Sequence, residues 1–434
     1  MNFERKPGQP GTPARGRSLL AALFVALTMA ACGGGGSDSA SAVSQAPGAV
    51  AAPGTGAVPG AVSTDTLSQG VITGFGSIIV NGVRYDDSAA LISDEDDEDK
   101  PLRGINDLKL GMVVTVSGVS GTTTGSASAI AFGSVLQGPV QSVNGSAITA
   151  TVPVAGATQT LVILGQTVVV GSRVIFDPLS LPGGFADIRK GDALEVHGHL
   201  DVIANKLIAT RINREANPSV YKMTGNISSL STSSRTFKIG SEVISYAGVN
   251  PDKLRVTLAN GVTVKVQLST VQSTPLIWNA TRIKPASRKA MENRSKVEIE
   301  GLIDAFTSFL QFSINGLPVD ARNARFPKGS GALALGARVE VKGSIVGGTL
   351  VATQVKVEED DDEDNKIELH GVISSVNTST KTFVLRGLTV SYAGNVKFEH
   401  GTESKLVNGA KVEVKGRPIP GSSTVQALKI EFED

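Results

Sequence analysis

The sequence predicts an all-β protein made of five small closed β-barrels in tandem, each of about 75 residues. Three observations predict it. A stretch of eleven residues, "LALGARVEVKG" from Leu333, returns as "LVNGAKVEVKG" from Leu406, 73 positions on. Its apolar residues alternate with polar ones, the period of a strand with one buried face. The composition, 41% hydrophobic and rich in Val, Ile and Ala, with 49 glycines and 4% aromatics, favours β-structure with many turns.

The chain opens on a basic segment and the apolar run "LLAALFVALTMAA" (Leu19–Ala31), too short to span a bilayer but suited to the core of a signal peptide. Cys32, the sole cysteine, follows directly in "MAAC". This resembles the lipobox of bacterial lipoproteins, with Met29 where that family usually has leucine. The resemblance implies removal of residues 1–31, acylation of Cys32 with further acylation after cleavage, and, with Gly33 rather than Asp next in line, export to the outer membrane. Two or more acyl chains anchor stably. A cysteine-free remainder forms no disulfides. Residues 32–66 hold Gly, Ala, Ser, Pro and Val without an apolar period and read as a disordered tether with a reach of about 30–35 Å.

The pattern Leu/Ile-x-x-Gly-x-x-apolar-x-Val recurs around Gly111, Gly191, Gly261, Gly336 and Gly409. Each glycine is trailed by a second signature: "ASAI" (Ala127), "ATRI" (Ala209), "ATRI" (Ala280), "ATQV" (Ala352) and "ALKI" (Ala427). The openings also match: "QGVITGF" (Gln69), "QGPVQSV" (Gln137), "TGNISSL" (Thr224), "EGLIDAF" (Glu300) and "HGVISSV" (His370). The expected repeats are 67–134, 135–216, 217–290, 291–358 and 359–434, the last beginning with an acidic linker. Within "GARVEVKG", Val339 and Val341 face one side, while Glu340 and Lys342 face the other and are expected in solvent. Asn81-Gly82 and Asn315-Gly316 mark hairpin turns. A sheet this small removes its edges best by closing into an OB-like barrel, filled by pairs such as Val83/Tyr85, Ile244/Tyr246 and Val390/Tyr392. The pattern resembles an uncharacterised repeat domain found in tandem in proteobacterial envelope lipoproteins, which implies a fold and an address but no activity.

The search for chemistry is short. Of the four histidines, His197 and His199 ("HGH") share a strand face as metal ligands might, yet alternation places that face in solvent. His370 aligns with Gln69, Gln137, Thr224 and Glu300 and reads as an exposed, variable position; His400 stands alone. No nucleophile accompanies a histidine and a carboxylate in a recognisable motif, and no glycine-rich phosphate loop opens a helix, so no catalytic residue is assigned. Two acidic runs stand out, one with Asp94, Asp96, Asp97 and Asp99, the other with Asp360, Asp361, Asp362 and Asp364. Neither has calcium-loop spacing, so each reads as a solvated loop with at most weak Ca²⁺ association and no resident cofactor.

Removing the leader takes four of the 41 basic residues and one of the 40 acidic, turning +1 into about −2, which argues against nucleic acid as a partner. The expected protein is a non-enzymatic, lipid-anchored envelope protein presenting a string of adhesive or scaffolding surfaces to another envelope protein or a glycan. The first alternative is an oligosaccharide- or peptidoglycan-binding module, and the second an enzyme with its site in the second repeat.

Overall fold

The computed structural model describes residues 65–97, 101–144, 158–251, 254–273, 276–286, 292–358 and 366–433. The leader, Cys32 and all but the last two tether residues lie outside them. In the first repeat, Thr66–Phe75 pairs antiparallel with Ile78–Val80, and that strand with Val83–Asp86. Val83–Asp86 runs parallel to Thr124–Phe132, and Val113–Ser120 lies antiparallel between Thr124–Phe132 and Thr66–Phe75. The order first, second, third, fifth, fourth, first closes the sheet and leaves no free edge. This is the OB-like barrel the sequence predicts.

The other four repeats close in the same order. The second uses Leu136–Val143, Gln159–Ile163, Gln166–Val170, Ala193–Asp201 and Lys206–Arg214. In the third the opening strand is split, with Tyr221–Asn226 against Thr263–Leu268 and Ser228–Ser231 against Thr236–Ile239; Glu242–Ser245 and Ile277–Pro285 complete it. The fourth uses Arg294–Ser308, Gln311–Ile314, Leu317–Asp320, Arg338–Val346 and Thr349–Val357. The fifth uses Ile367–Asn377, Thr382–Leu385, Leu388–Ser391, Lys411–Pro418 and Thr424–Phe432.

Alternation predicts the inward faces correctly. Val339, Val341, Val412 and Val414 are buried, as are Val83/Tyr85, Ile244/Tyr246 and Val390/Tyr392. Equivalent rings stack in two barrels, Phe237 on Tyr246 at 6.0 Å and Phe383 on Tyr392 at 5.9 Å. The turn residues Asn81, Gly82, Asn315 and Gly316 all have positive φ, as the two-residue hairpins require.

The two glycines of the repeated stretch have separate tasks. Gly111, Gly191, Gly261, Gly336 and Gly409 have φ between +81° and +95°, a region costly for any residue with a Cβ. That conformation turns each amide onto the first strand of its own barrel, donating to the carbonyl of Ile72, Val140, Ile227, Ile303 or Ile373 at 2.8–2.9 Å. The later glycine, Gly343 or Gly416, sits at a bulge where the fourth strand slips register against the fifth. A Cβ there would lie 2.2 Å from the Val351 carbonyl oxygen, or 2.6 Å from that of Gln426.

The barrels do not form a string, which corrects that expectation. Residues Val58–Asp434 make one compact unit. The first strand of barrel one runs parallel to that of barrel four (Leu67↔Val297, Gln69↔Ile299) and, further along, to that of barrel five (Gly74↔Glu368). The first strands of barrels two and three meet antiparallel at Gln137↔Lys222. Closure by side chains leaves the outer backbone of these strands near enough for barrels to meet strand to strand.

A glycine at +95° with open space around it isolates the conformational term, so Gly409→Ala is expected to lower stability by about 1–2 kcal/mol in urea unfolding. Gly171→Ala, where φ is ordinary and the space equally open, is the control and changes stability little.

Candidate functional site

The outward side chains of the first and fourth strands, expected in water, are the ones that bring the barrels together. In barrel four, Glu298, Glu300 and Glu340 are all at least nine-tenths buried. Lys342 donates to Glu298 at 2.8 Å and lies 3.2 Å from Glu340. The expected solvent position of Glu340 is therefore corrected: barrel one packs on this face through the parallel strand contact, while Lys342 stays partly in solvent and brings positive charge to the buried carboxylates. Glu300 sits where three barrels meet. It is 3.2 Å from Arg338 Nε of its own barrel and 3.3 Å from His199 Nε2 of barrel two, and it accepts the Val71 N–H of barrel one at 3.3 Å.

Both histidines of "HGH" are buried, at 1% and 3% exposure, which overturns their solvent-face reading. Period-two alternation correctly turned them out of their own barrel, but neighbouring barrels occupy the space there. Burial pushes the His197 imidazole down to about 4; Glu195 opposes that fall, and Arg211 adds to it. Arg211 in turn pairs with Asp177 at 2.6 Å and donates to the Leu110 carbonyl of barrel one.

The described part of the first acidic run divides in two. Asp94 and Asp97 accept from Arg103 at 3.2 and 2.9 Å. Asp96 is 5% exposed, which corrects its reading as part of a solvated loop. It accepts from the Ser134 N–H and hydroxyl at 2.9 Å, and two lysines of barrel three, Lys222 at 3.2 Å and Lys265, converge on it. Burial alone would raise the Asp96 carboxyl, but Lys265 and Lys222 outweigh it and hold the group well below the usual carboxylate range. The lysines supply the positive charge that a cation would otherwise bring. Asp99, Asp360, Asp361, Asp362 and Asp364 lie outside the described residues.

His370 is also misread as exposed. Its side chain is 18% accessible and is enclosed by Glu368, Glu413, Glu433 and Arg84. His400 stays largely exposed, 3.3 Å from Glu431. Trp278 offers no stacking platform, since it is buried edge-on to Tyr221 at 5.7 Å and donates to Glu242 at 2.8 Å.

Among the described residues, packing barrels by these faces leaves cavities between them. One, of about 280 Å³, is lined by residues of barrels one, two, four and five, among them Thr210, Glu300, Arg338, Glu340, Lys356 and Glu358. Another, of about 780 Å³ and partly open, is lined by barrels one to four, with Glu95, His199, Lys265, Lys284 and Asp304 among its polar residues. The sequence held a signal for this arrangement, legible only between repeats. The outward positions are Leu67, Thr115 and Ser117 in barrel one, Lys222, Lys265 and Gln267 in barrel three, Glu298, Glu340 and Lys342 in barrel four, and Glu368, Glu413 and Lys415 in barrel five. These positions are uncharged in barrel one, basic in barrel three and of both signs in barrels four and five.

With this geometry in view, the comparisons with known families fall into place. A family model described as "Domain of unknown function (DUF5666)" matches residues 137–213, 300–356 and 370–431, falling within barrels two, four and five. No curated protein matches the chain.

Glu340 supplies the test of the buried charge. Burial raises its carboxyl, Glu298 adds to the rise and Lys342 opposes it, leaving the group at about 7. A group whose folded value lies above its unfolded one holds more protons when folded, so stability falls as pH rises from about 4.5 to 7. Glu340→Gln is expected to flatten that decline in urea midpoints measured across the window, and an unchanged slope would place Glu340 in solvent.

Proposed function

We propose that this chain is a lipid-anchored envelope protein that works by binding, its five barrels forming one body that holds a polar partner in the cavities between them. The observation that carries the reading is the open cavity of about 780 Å³ shared by four barrels and lined by charges of both signs. Such a lining suits a ligand that itself carries amines, carboxylates and amides, as an extended protein segment does. Cys32 would hold this body at the membrane, and residues 33–66 would give it freedom to reach the partner.

The peptidoglycan reading stays open on the same observation, because a peptide stem on an amino sugar carries the same groups. Among the described lining residues Phe132 is the one Phe, Tyr or Trp, so a sugar would be held chiefly by hydrogen bonds and charge.

In-cell photo-crosslinking tests both readings. A photoreactive residue at Val202, on the wall of the open cavity, is expected to give a defined protein adduct, whereas one at Leu179, 89% exposed on another surface, is not. An adduct that disappears on muramidase digestion would favour the peptidoglycan reading. Cys32→Ala is expected to leave the detergent phase and to lose the Val202 adduct. Equal labelling from both positions, or none from either, would contradict a binding role for the cavity.

A further inference from the structure

The seam between barrels one and five carries a feature that the binding reading does not use. Three electron-pair donors converge there: Glu368 Oε1 lies 3.0 Å from His370 Nε2, Glu413 Oε2 lies 3.4 Å from the same nitrogen, and all three atoms fall within 4.8 Å of one another. Their side chains are about four-fifths buried.

Glu433 Oε1 lies 2.8 Å from His370 Nδ1, and a carboxylate can only accept, so Nδ1 carries a proton. Nε2 faces a donor, Arg84 Nη2 at 2.9 Å, as well as the carboxylate oxygens of Glu368 and Glu413. A carboxylate on Nδ1–H is the arrangement that orients a metal-binding imidazole and strengthens its other nitrogen as a ligand. Two carboxylate oxygens turned toward one imidazole nitrogen call for a positive centre among them. Arg84, reaching across from barrel one, brings that charge to Glu368 and His370. The remaining oxygens, Glu368 Oε2 and Glu413 Oε1, are each 3.2 Å from Lys415, which leaves the other two turned toward the histidine.

We propose that Glu368, His370 and Glu413 form a binding site for one first-row divalent cation of the Zn²⁺ type, which takes the place of the Arg84 guanidinium. One imidazole and two carboxylates suit Zn²⁺ better than Ca²⁺, which takes oxygen ligands alone. Three protein ligands leave a fourth position for water or a partner's side chain. The site is separate from the acidic runs and from both cavities, and it stands or falls independently of the envelope-binding reading.

Calorimetric titration of the full chain with Zn²⁺ and the visible spectrum of its Co²⁺ form test the proposal. The wild type is expected to take one Zn²⁺ with micromolar or tighter affinity and to give Co²⁺ bands of tetrahedral intensity. His370→Ala and Glu413→Gln should each weaken binding at least tenfold, and Glu433→Gln by about 10–100-fold through the imidazole. Arg84→Met, which removes the competing cation, should bind at least as tightly as wild type. The wild-type spectrum needs no variant, and metal-free melting curves show whether each variant folds. Failure of the wild type to bind Zn²⁺, binding unaltered by His370→Ala, or weaker binding in a folded Arg84→Met would each overturn it.

Discussion

A charge on the outside of a small barrel can be buried against another barrel only where a counter-charge, from its own barrel or from the next, is buried with it, and the arrangement of this protein reflects that constraint. Each barrel fills its interior with Val, Ile, Leu and a few rings, and closes its own edges. The buried apolar residues form three clusters, one spanning barrels one and five, one spanning barrels two and three, and one in barrel four that takes in Leu67 of barrel one. Outward charges add contacts between barrels: Asp96 of barrel one meets Lys222 and Lys265 of barrel three, Glu300 of barrel four meets His199 of barrel two, and Glu368 of barrel five meets Arg84 of barrel one. An uncompensated ion in these positions would be worth several kcal/mol against folding, so each pair specifies which face meets which.

The fold was legible because its causes are local. A positive-φ turn demands glycine, a bulge against a neighbouring carbonyl demands glycine, and a barrel interior demands apolar residues at every second position. All three requirements recur in each repeat up to single departures, such as Leu268 where the bulge glycine would stand in barrel three. The family match to parts of barrels two, four and five follows the same unit.

The site was illegible for a matching reason. Alternation tells which side of a sheet a residue faces, not what lies beyond that side. Glu340 and His197 were assigned correctly to the outside of their barrels and wrongly to water, and Asp96 was assigned wrongly to a solvated loop. Nothing within "EVKG", "HGH" or "DEDDED" announces a partner several barrels away. The information sits in the comparison of equivalent positions, uncharged in barrel one, basic in barrel three and of both signs in barrels four and five. His370 shows the limit of reading by alignment: its counterparts Gln69, Gln137, Thr224 and Glu300 vary because each faces a different neighbour, not because none matters.

The measurement that tests the central claim most directly is a double-mutant cycle across barrels one and three, with Asp96→Asn and Lys265→Met alone and together in the full chain. Urea unfolding gives the coupling. If outward charges hold the barrels to one another, the coupling exceeds the roughly 1 kcal/mol ceiling of exposed ion pairs, and the double change costs less than the sum of the two single changes. A coupling near zero, with both single variants as stable as the wild type, would mean that these faces are solvated and that the barrels are held together by something else.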